Sequence, residues 1–166
     1  MILTITRNIL FFVVIVLLQV LVFNNIDFLG FINPYIYIAF ILSLPVALNK
    51  KSIMVIAFVL GFLIDIFSNT LGIHIFASVL IAYLRNYWID ALFFRNDFDF
   101  ISPSIKSFGF VNYVKYAFVL IFVHHLSLFF LEVISFDNFW LLLIRVLYNT
   151  VITLLLIISV ELLKSK

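Results

Sequence analysis

The sequence predicts an all-α integral membrane protein, with about six transmembrane helices in one bundle. Hydrophobic residues make up 66% of the chain and charged residues only 11%, against roughly 45–50% and 25% in soluble domains. A chain of 166 residues cannot hide that excess in its core. Short polar turns divide the apolar sequence into runs of helical length. Lipid is therefore the solvent for most of the surface, and residues 1–166 form one polytopic domain.

Charge and cysteine content exclude several function classes. The net charge is +2, and no basic run exceeds Lys50-Lys51, so a nucleic-acid surface is not predicted. The chain has no cysteine, which excludes disulfides, thiolate nucleophiles and cysteine-ligated metals. We expect no cofactor. The first apolar run lacks a small-residue cleavage site before Phe23, so we interpret it as a retained span.

The lengths of the apolar runs, and the polar and proline residues that interrupt them, predict where the spans lie. They are predicted at Ile9–Phe23, Pro34–Leu48, Ile53–Phe67, Leu71–Leu84 (or Trp88, with Arg85 snorkelling to the interface), Tyr113–Val133 and Phe139–Leu163. Pro45 is expected to kink or end the second span. Spans two to four are shorter than the roughly 20 residues of a straight crossing. A re-entrant hairpin of spans three and four is therefore the alternative.

The distribution of basic residues predicts the orientation. With six spans, nine of the ten Lys and Arg residues lie on one side: Arg7, Lys50, Lys51, Arg85, Arg95, Lys106, Lys115, Lys164 and Lys166. The opposite loops, around residues 24–33, 68–70 and 134–138, carry none. By the positive-inside rule, both termini are cytoplasmic.

Segment 85–112 is then a cytoplasmic connection between spans four and five. Its three basic and three acidic residues cancel, and it is rich in aromatic residues. This mixture is typical of an element that lies in the membrane interface. The alternative is a docking surface for a cytoplasmic partner.

Two predicted helices carry faces of small and polar residues. The faces repeat at helical spacing and consist of Ala57, Gly61, Asp65 and Ser68 in span three, and His74, Ser78, Ala82 and Arg85 in span four. Small residues allow helices to approach closely in a membrane. Because a very short turn joins the two spans, we expect them to pair antiparallel.

A set of polar residues is predicted in the outer half of the bundle. It comprises Asp65, His74, Glu132 and Arg145; Asn149 extends the Arg145 face inward, and Gln19 is expected to point into the bundle from span one. One interpretation is that Arg145 pairs with Asp65 or Glu132 and neutralises buried charge. The other is a polar pocket that binds a ligand or a partner's transmembrane helix.

Catalytic and metal-binding motifs are not predicted. The sequence contains no HExxH, P-loop or nucleophile-elbow motif. His124 and His125 are adjacent and diverge by about 100° on a helix, so they are expected to be hydrogen-bonded within the bundle rather than to share a metal.

The segment from Gly61 to Leu84 resembles the signature of the rod shape-determining protein MreD family. The resemblance rests on GFLIDIFS, then LGIH, then AYL. The residues of this sequence that match the family's motif are Gly61, Asp65, Ser68, Gly72, His74 and Tyr83.

The resemblance implies a non-enzymatic subunit of the bacterial cell-elongation machinery in the inner membrane. Its implied partners are an MreC-type protein, an MreB-type actin-like filament and the RodA–transpeptidase pair that makes peptidoglycan. The family also resembles, in span number, the S-components of energy-coupling-factor transporters. The alternative function is therefore a substrate-binding subunit of a vitamin-type transporter, although a small-molecule ligand is not favoured. An intramembrane enzyme is a third hypothesis, which no residue pattern supports.

Overall fold

A computed structural model describes residues 2–26, 33–93, 102–133 and 139–165. Within these ranges the regular structure is helical. It consists of α1 (Ile2–Leu21), a 3-10 turn (Phe23–Asn25), α2 (Ile38–Ser43), α3 (Lys50–Ser68), α4 (Ile73–Leu92), α5 (Ile105–Phe108), α6 (Phe110–Val133) and α7 (Phe139–Ser165).

Among the residues that the structure describes, four helical stretches are long and apolar enough to cross a membrane. They are Thr6–Asn25, Lys50–Ser68, Phe110–Val133 and Phe139–Lys164. Their outward faces are covered with exposed aliphatic and aromatic side chains, as the lipid-facing surface of a membrane protein requires. The structure thus confirms an all-helical membrane protein.

The long helices pack in chain order. α3 and α4, joined by residues 69–72, lie against each other and run antiparallel; α4 packs on α6, and α6 packs on α7. α1 contacts α2 and α3. α3 and α4 have 19 and 20 residues and are thus longer than the predicted spans three and four.

The prediction of a transmembrane helix over Pro34–Leu48 is wrong. Only the six residues of α2 are helical there, within a segment (residues 33–49) that we call the central segment. Leu44 is extended (ψ 143°), as expected for a residue before proline, and Pro45 cannot continue the helix. Ile38, Ile41 and Leu42 of α2 are fully buried. Their hydrophobic side chains pack in the centre of the bundle and do not face lipid.

Side chains of the surrounding helices satisfy the backbone of the central segment. Gln19 of α1 donates to the Pro34 carbonyl (3.2 Å) and accepts from the Tyr37 amide (3.3 Å). The Tyr35 amide donates to Thr153 Oγ1 of α7 at 3.1 Å. Irregular backbone is tolerated at membrane depth only where protein groups satisfy it in this way. The predicted inward orientation of Gln19 is confirmed.

Arg85 of α4 satisfies backbone carbonyls at the other end of the central segment. Its guanidinium donates to the Leu44 carbonyl and to Tyr116 Oη (2.9 Å), and that hydroxyl donates to the Leu42 carbonyl at 3.0 Å. Arg85 is fully buried. The prediction that it snorkels to the interface is therefore wrong, because the carbonyls left free at the end of α2 provide its partners inside the bundle.

Several predicted boundaries also change. α1 begins at Ile2, not Ile9, and α4 continues to Leu92, past the predicted end at Leu84 or Trp88. With α6 beginning at Phe110, the connection between α4 and α6 is shorter than the predicted segment 85–112. Residues 94–101 of that segment, and the predicted outer turns at 27–32 and 134–138, lie outside the described residues.

Tyr116→Phe is expected to lower the free energy of unfolding by about 1–3 kcal/mol, since it leaves a buried carbonyl and a guanidinium N–H without their partner. Tyr113→Phe is the matched control, because Tyr113 is also buried on α6 and its hydroxyl, unlike that of Tyr116, makes no hydrogen bond to the residues that the structure describes. Reversible unfolding in mixed micelles measures both variants. Equal effects would contradict the role assigned to the Tyr116 hydroxyl.

Candidate functional site

The carboxylate of Asp65 on α3 binds the first turn of α4. Its Oδ1 accepts from the His74 amide (3.2 Å) and its Oδ2 from the Ile75 amide (2.9 Å). First-turn amides have no partner within their own helix, and Gly72 at the N-cap position of α4 has no side chain to cap them. Asp65 therefore caps α4 from the neighbouring helix, and its negative charge lies at the positive end of the helix dipole.

Two side chains complete the environment of Asp65. Thr70 Oγ1 donates to Asp65 Oδ1 (2.5 Å), and His74 Nδ1 lies 3.0 Å from the same oxygen. Because an ionised carboxylate only accepts hydrogen bonds, His74 Nδ1 carries the proton of this contact. Thr70, His74 and Ile75 all come from the turn between α3 and α4 or from the start of α4, so the buried carboxylate finds its hydrogen-bond partners within the hairpin.

This Asp–His–Thr arrangement does not have the geometry of a catalytic triad. In a triad the imidazole uses one nitrogen for the acid and the other for the nucleophile. Here Thr70 Oγ1 and Asp65 Oδ1 both approach Nδ1 of His74, at 3.1 and 3.0 Å. His74 therefore cannot pass a proton from Thr70 in the manner of such an enzyme.

Gly61, one turn before Asp65, sets the distance between the two helices. A Cβ atom at this position would lie 2.6 Å from Ile75 Cα and 2.7 Å from the His74 carbonyl oxygen. Both are backbone atoms and cannot rotate away. Only glycine lets α4 come close enough for its amides to reach Asp65. We call Gly61, Asp65, Thr70 and His74 the hairpin lock.

The turn between the helices uses two residues with positive φ. Asn69 (φ 54°) ends α3, and its amide donates to the Asp65 carbonyl. Gly72 adopts φ 89°, a conformation in which an L side chain is strained. Ser68 Oγ accepts from Asn24 Nδ2 at 2.9 Å, which ties the turn after α1 to the end of α3.

The structure brings together five of the six motif residues at the closed end of the hairpin, and Tyr83 is not among them. Tyr83 lies further along α4, is 42% exposed, and has the Lys50 ammonium 3.4 Å from its ring centroid. This contact links the first residue of α3 to the facing side of α4 at the open end.

The predicted outer polar cluster is divided in two. Arg145 Nη2 lies 3.4 Å from both carboxylate oxygens of Glu132, so Arg145 pairs with Glu132 and not with Asp65. The two side chains are 24% and 42% exposed, which corrects the prediction that they neutralise a buried charge. Asn149 is fully buried and accepts from the Asn33 amide at 2.8 Å.

An outer cavity lies beside the hairpin lock. Its volume is about 400 Å³, and its polar lining includes Asn24, Asn33, Tyr35, Thr70, His74 and Glu132. Of the residues predicted to form an outer pocket, it contains His74 and Glu132 but neither Asp65 nor Arg145. The predicted pocket therefore has a counterpart in the structure, with a different set of residues.

The paired histidines of α6 are hydrogen-bonded within the bundle, as predicted. His124 Nε2 lies 2.7 Å from the Tyr37 hydroxyl and His125 Nδ1 lies 3.3 Å from Thr150 Oγ1. The sequence reasoning missed Tyr37, as well as Thr70. A signal for Tyr37 was present in two tyrosines, at positions 35 and 37, within a run otherwise apolar up to Leu42.

Comparison with known proteins identifies one family. The model of the family described as rod shape-determining protein MreD matches residues 1–166. No curated protein and no solved structure matches the chain.

Asp65→Ala is expected to lower the free energy of unfolding by about 1.5–3 kcal/mol, because hydrogen bonds to a charged group are lost and two amides remain unpaired. Asp65→Asn is the matched variant: it keeps the shape and one acceptor oxygen, so the loss should be smaller. Reversible unfolding in mixed micelles measures the free energy of unfolding of both variants. A destabilisation by Asn equal to that by Ala would contradict the shared capping of the two amides.

Double-mutant cycles distinguish the two acidic candidates for Arg145. The cycle of Arg145→Gln with Glu132→Gln is expected to show a coupling energy of about 0.5 kcal/mol or more, as for residues in direct contact. The cycle of Arg145→Gln with Asp65→Asn should be additive within about 0.5 kcal/mol. Coupling to Asp65 instead of Glu132 would overturn the pairing described above.

Proposed function

Because the chain belongs to the rod shape-determining protein MreD family, with its role in rod shape determination, we propose that it acts as a non-enzymatic scaffold. On this proposal it holds the transmembrane helices of other members of the cell-shape machinery. The observation that carries the proposal is the arrangement of the motif. Its central carboxylate is fully used within the α3–α4 hairpin, so the motif builds a rigid hairpin rather than a reactive site.

The outer face of that hairpin has a shape suited to a partner helix. A groove of about 490 Å³ runs between α3 and α4, and we call it the hairpin groove. Its lining is Met54, Phe58, Gly72, Ile75, Phe76, Val79, Leu80 and Tyr83. Phe58 and Phe76 are 49% and 52% exposed. Helices associate in lipid by close packing of ridges into grooves, so a concave, rigid face favours a specific helix over lipid chains.

We further propose that the chain crosses the bacterial inner membrane six times, with both termini in the cytoplasm. In this topology the central segment provides the second crossing, inside the bundle, and α4 provides the fourth. Arg7, Lys106 and Lys164 line one cavity, which supports their placement on the same side. Asn24, Thr70 and Glu132 line another, which supports an opposite end where Arg145 is paired with Glu132. The positive-inside rule then makes the basic end cytoplasmic.

The proposed partners are an MreC-type protein, the RodA–transpeptidase pair and an MreB-type filament. The first two have membrane helices that could occupy the hairpin groove. A cytoplasmic filament would instead meet the basic end, where the interfacial connection within 85–112 is proposed to lie.

The alternative of a vitamin-type transporter subunit has less support. The outer cavity could hold a small molecule, but the matching family is a shape-determining one, and no solved structure ties the fold to S-components. A vitamin and an ATPase module recovered with the purified protein, without cell-shape proteins, would favour this alternative.

Phe76→Ala is expected to reduce co-purification of the MreC-type protein or the RodA–transpeptidase pair at least about fivefold, since a large aromatic anchor at the centre of an interface commonly contributes more than 1 kcal/mol. Phe118→Ala is the matched control, because Phe118 is similarly exposed on α6 and lies outside the groove. Quantitative mass spectrometry of tagged protein from native membranes measures recovery. Equal recovery with both variants would contradict the groove as the docking site.

A further inference from the structure

A second cavity, at the basic end, is distinct from the hairpin groove and the outer cavity. Its volume is about 430 Å³, and we call it the basic pocket. It is formed by α1, the end of α2, α5 with the residues before it, and α7. The residues that line it include Arg7, Phe11, Ser43, Lys106, Glu161 and Lys164.

The charges of the described residues that line the basic pocket do not cancel, because three of them are basic (Arg7, Lys106 and Lys164) and one is acidic (Glu161). Lys164 Nζ lies 2.9 Å from Glu161 Oε1, and the two neutralise each other. Arg7 and Lys106 are exposed, and neither has an ion-pair partner among the residues that the structure describes. Two positive charges are thus left facing one concave site, which is favourable for an anion.

The wall of the basic pocket is partly apolar and continues toward the bilayer. Phe11 lies on the Arg7 side of α1, and Lys164 Nζ is 4.7 Å from its ring centroid. Val14 and Leu18 follow Arg7 at i+7 and i+11, so all three share one helix face. Both are 42% exposed. An anion with a hydrocarbon chain would therefore find contacts for both parts, whereas a free anion would use only the basic end.

We propose that the basic pocket binds the phosphate group of an anionic phospholipid. Arg7 and Lys106 contact the phosphate, and an acyl chain lies along Val14 and Leu18. The hydroxyl of Ser102 at the rim can donate to a remaining phosphate or glycerol oxygen. Basic pockets between membrane helices on the cytoplasmic side are suited to lipid headgroups. The inference uses the proposed orientation of the basic end but is independent of partner docking.

Native mass spectrometry of the full chain in micelles tests the proposal, with dioleoyl-phosphatidylglycerol as the probe and dioleoyl-phosphatidylcholine as the neutral reference. We expect preferential binding of phosphatidylglycerol. Arg7→Gln combined with Lys106→Gln should weaken it roughly 30-fold, from two contacts of the strength typical for a basic residue at an anionic membrane surface. Lys51→Gln combined with Lys115→Gln is the matched control, because both lysines are exposed and lie outside the pocket; it should leave binding unchanged.

Three results would overturn the proposal. Equal binding of the two lipids would exclude a headgroup site, and equal losses in both double variants would show diffuse charge attraction rather than a pocket. Inorganic phosphate that displaces phosphatidylglycerol at similar concentration would identify a free-phosphate site instead. All four substituted residues are exposed, so folding should be retained, and the unfolding midpoint in the same micelles checks it. Recovery of partner proteins is a separate readout, so the lipid site and the scaffold proposal can fail independently.

Discussion

The first turn of α4 begins where α4 packs closely against α3, and two of its backbone amides need acceptors that α4 itself does not provide. Asp65 provides them from α3, at 3.2 and 2.9 Å. A buried carboxylate and unpaired amides would each be costly alone. The hydrogen bonds between the carboxylate and the amides remove both free-energy penalties. The contact works only because Gly61 allows the helix backbones to approach so closely.

The rest of the bundle is arranged around this hairpin. α4 lies between α3 and α6, and its buried face continues from His74 through Ser78 and Ala82 to Arg85. Arg85 in turn fixes the end of the central segment through the Leu44 carbonyl. A displacement of α4 would therefore disturb both the lock at one end and the central segment at the other. Such a rigid unit is well suited to present a constant surface to another membrane helix.

Sequence reasoning predicted the class, the long helices and the paired small faces because these depend on composition and spacing. The buried positions of Ala57, Gly61 and Asp65 follow from their four-residue spacing. The partners of Asp65 could not be predicted in full, since two of the four are backbone amides, which residue identity does not reveal. Arg145 was assigned two candidate acids for a related reason. The periodicity of a helix predicts which face a residue lies on and how deep it lies in the membrane, but not which helix packs against that face.

The central segment shows a second limit. In a membrane protein, an apolar residue is equally favourable against lipid and against other helices, so Ile38, Ile41 and Leu42 did not distinguish a lipid-facing helix from a buried core element. Pro34 and Pro45 marked the ends of the irregular stretch, but a kinked span was equally consistent with them. Arg85 was misplaced because charge counting assigns basic residues to an interface, whereas here free carbonyls inside the bundle accept from it.

Residue-resolved amide hydrogen exchange at His74 and Ile75 tests the central claim most directly. These amides have no acceptor within α4, so their protection measures the bond to Asp65. In the unmodified protein both should exchange slowly, and in Asp65→Ala both should exchange faster while Ser78 and Ala82, deeper in α4, keep their protection. Protection of His74 and Ile75 that is unchanged by Asp65→Ala would contradict capping across the hairpin.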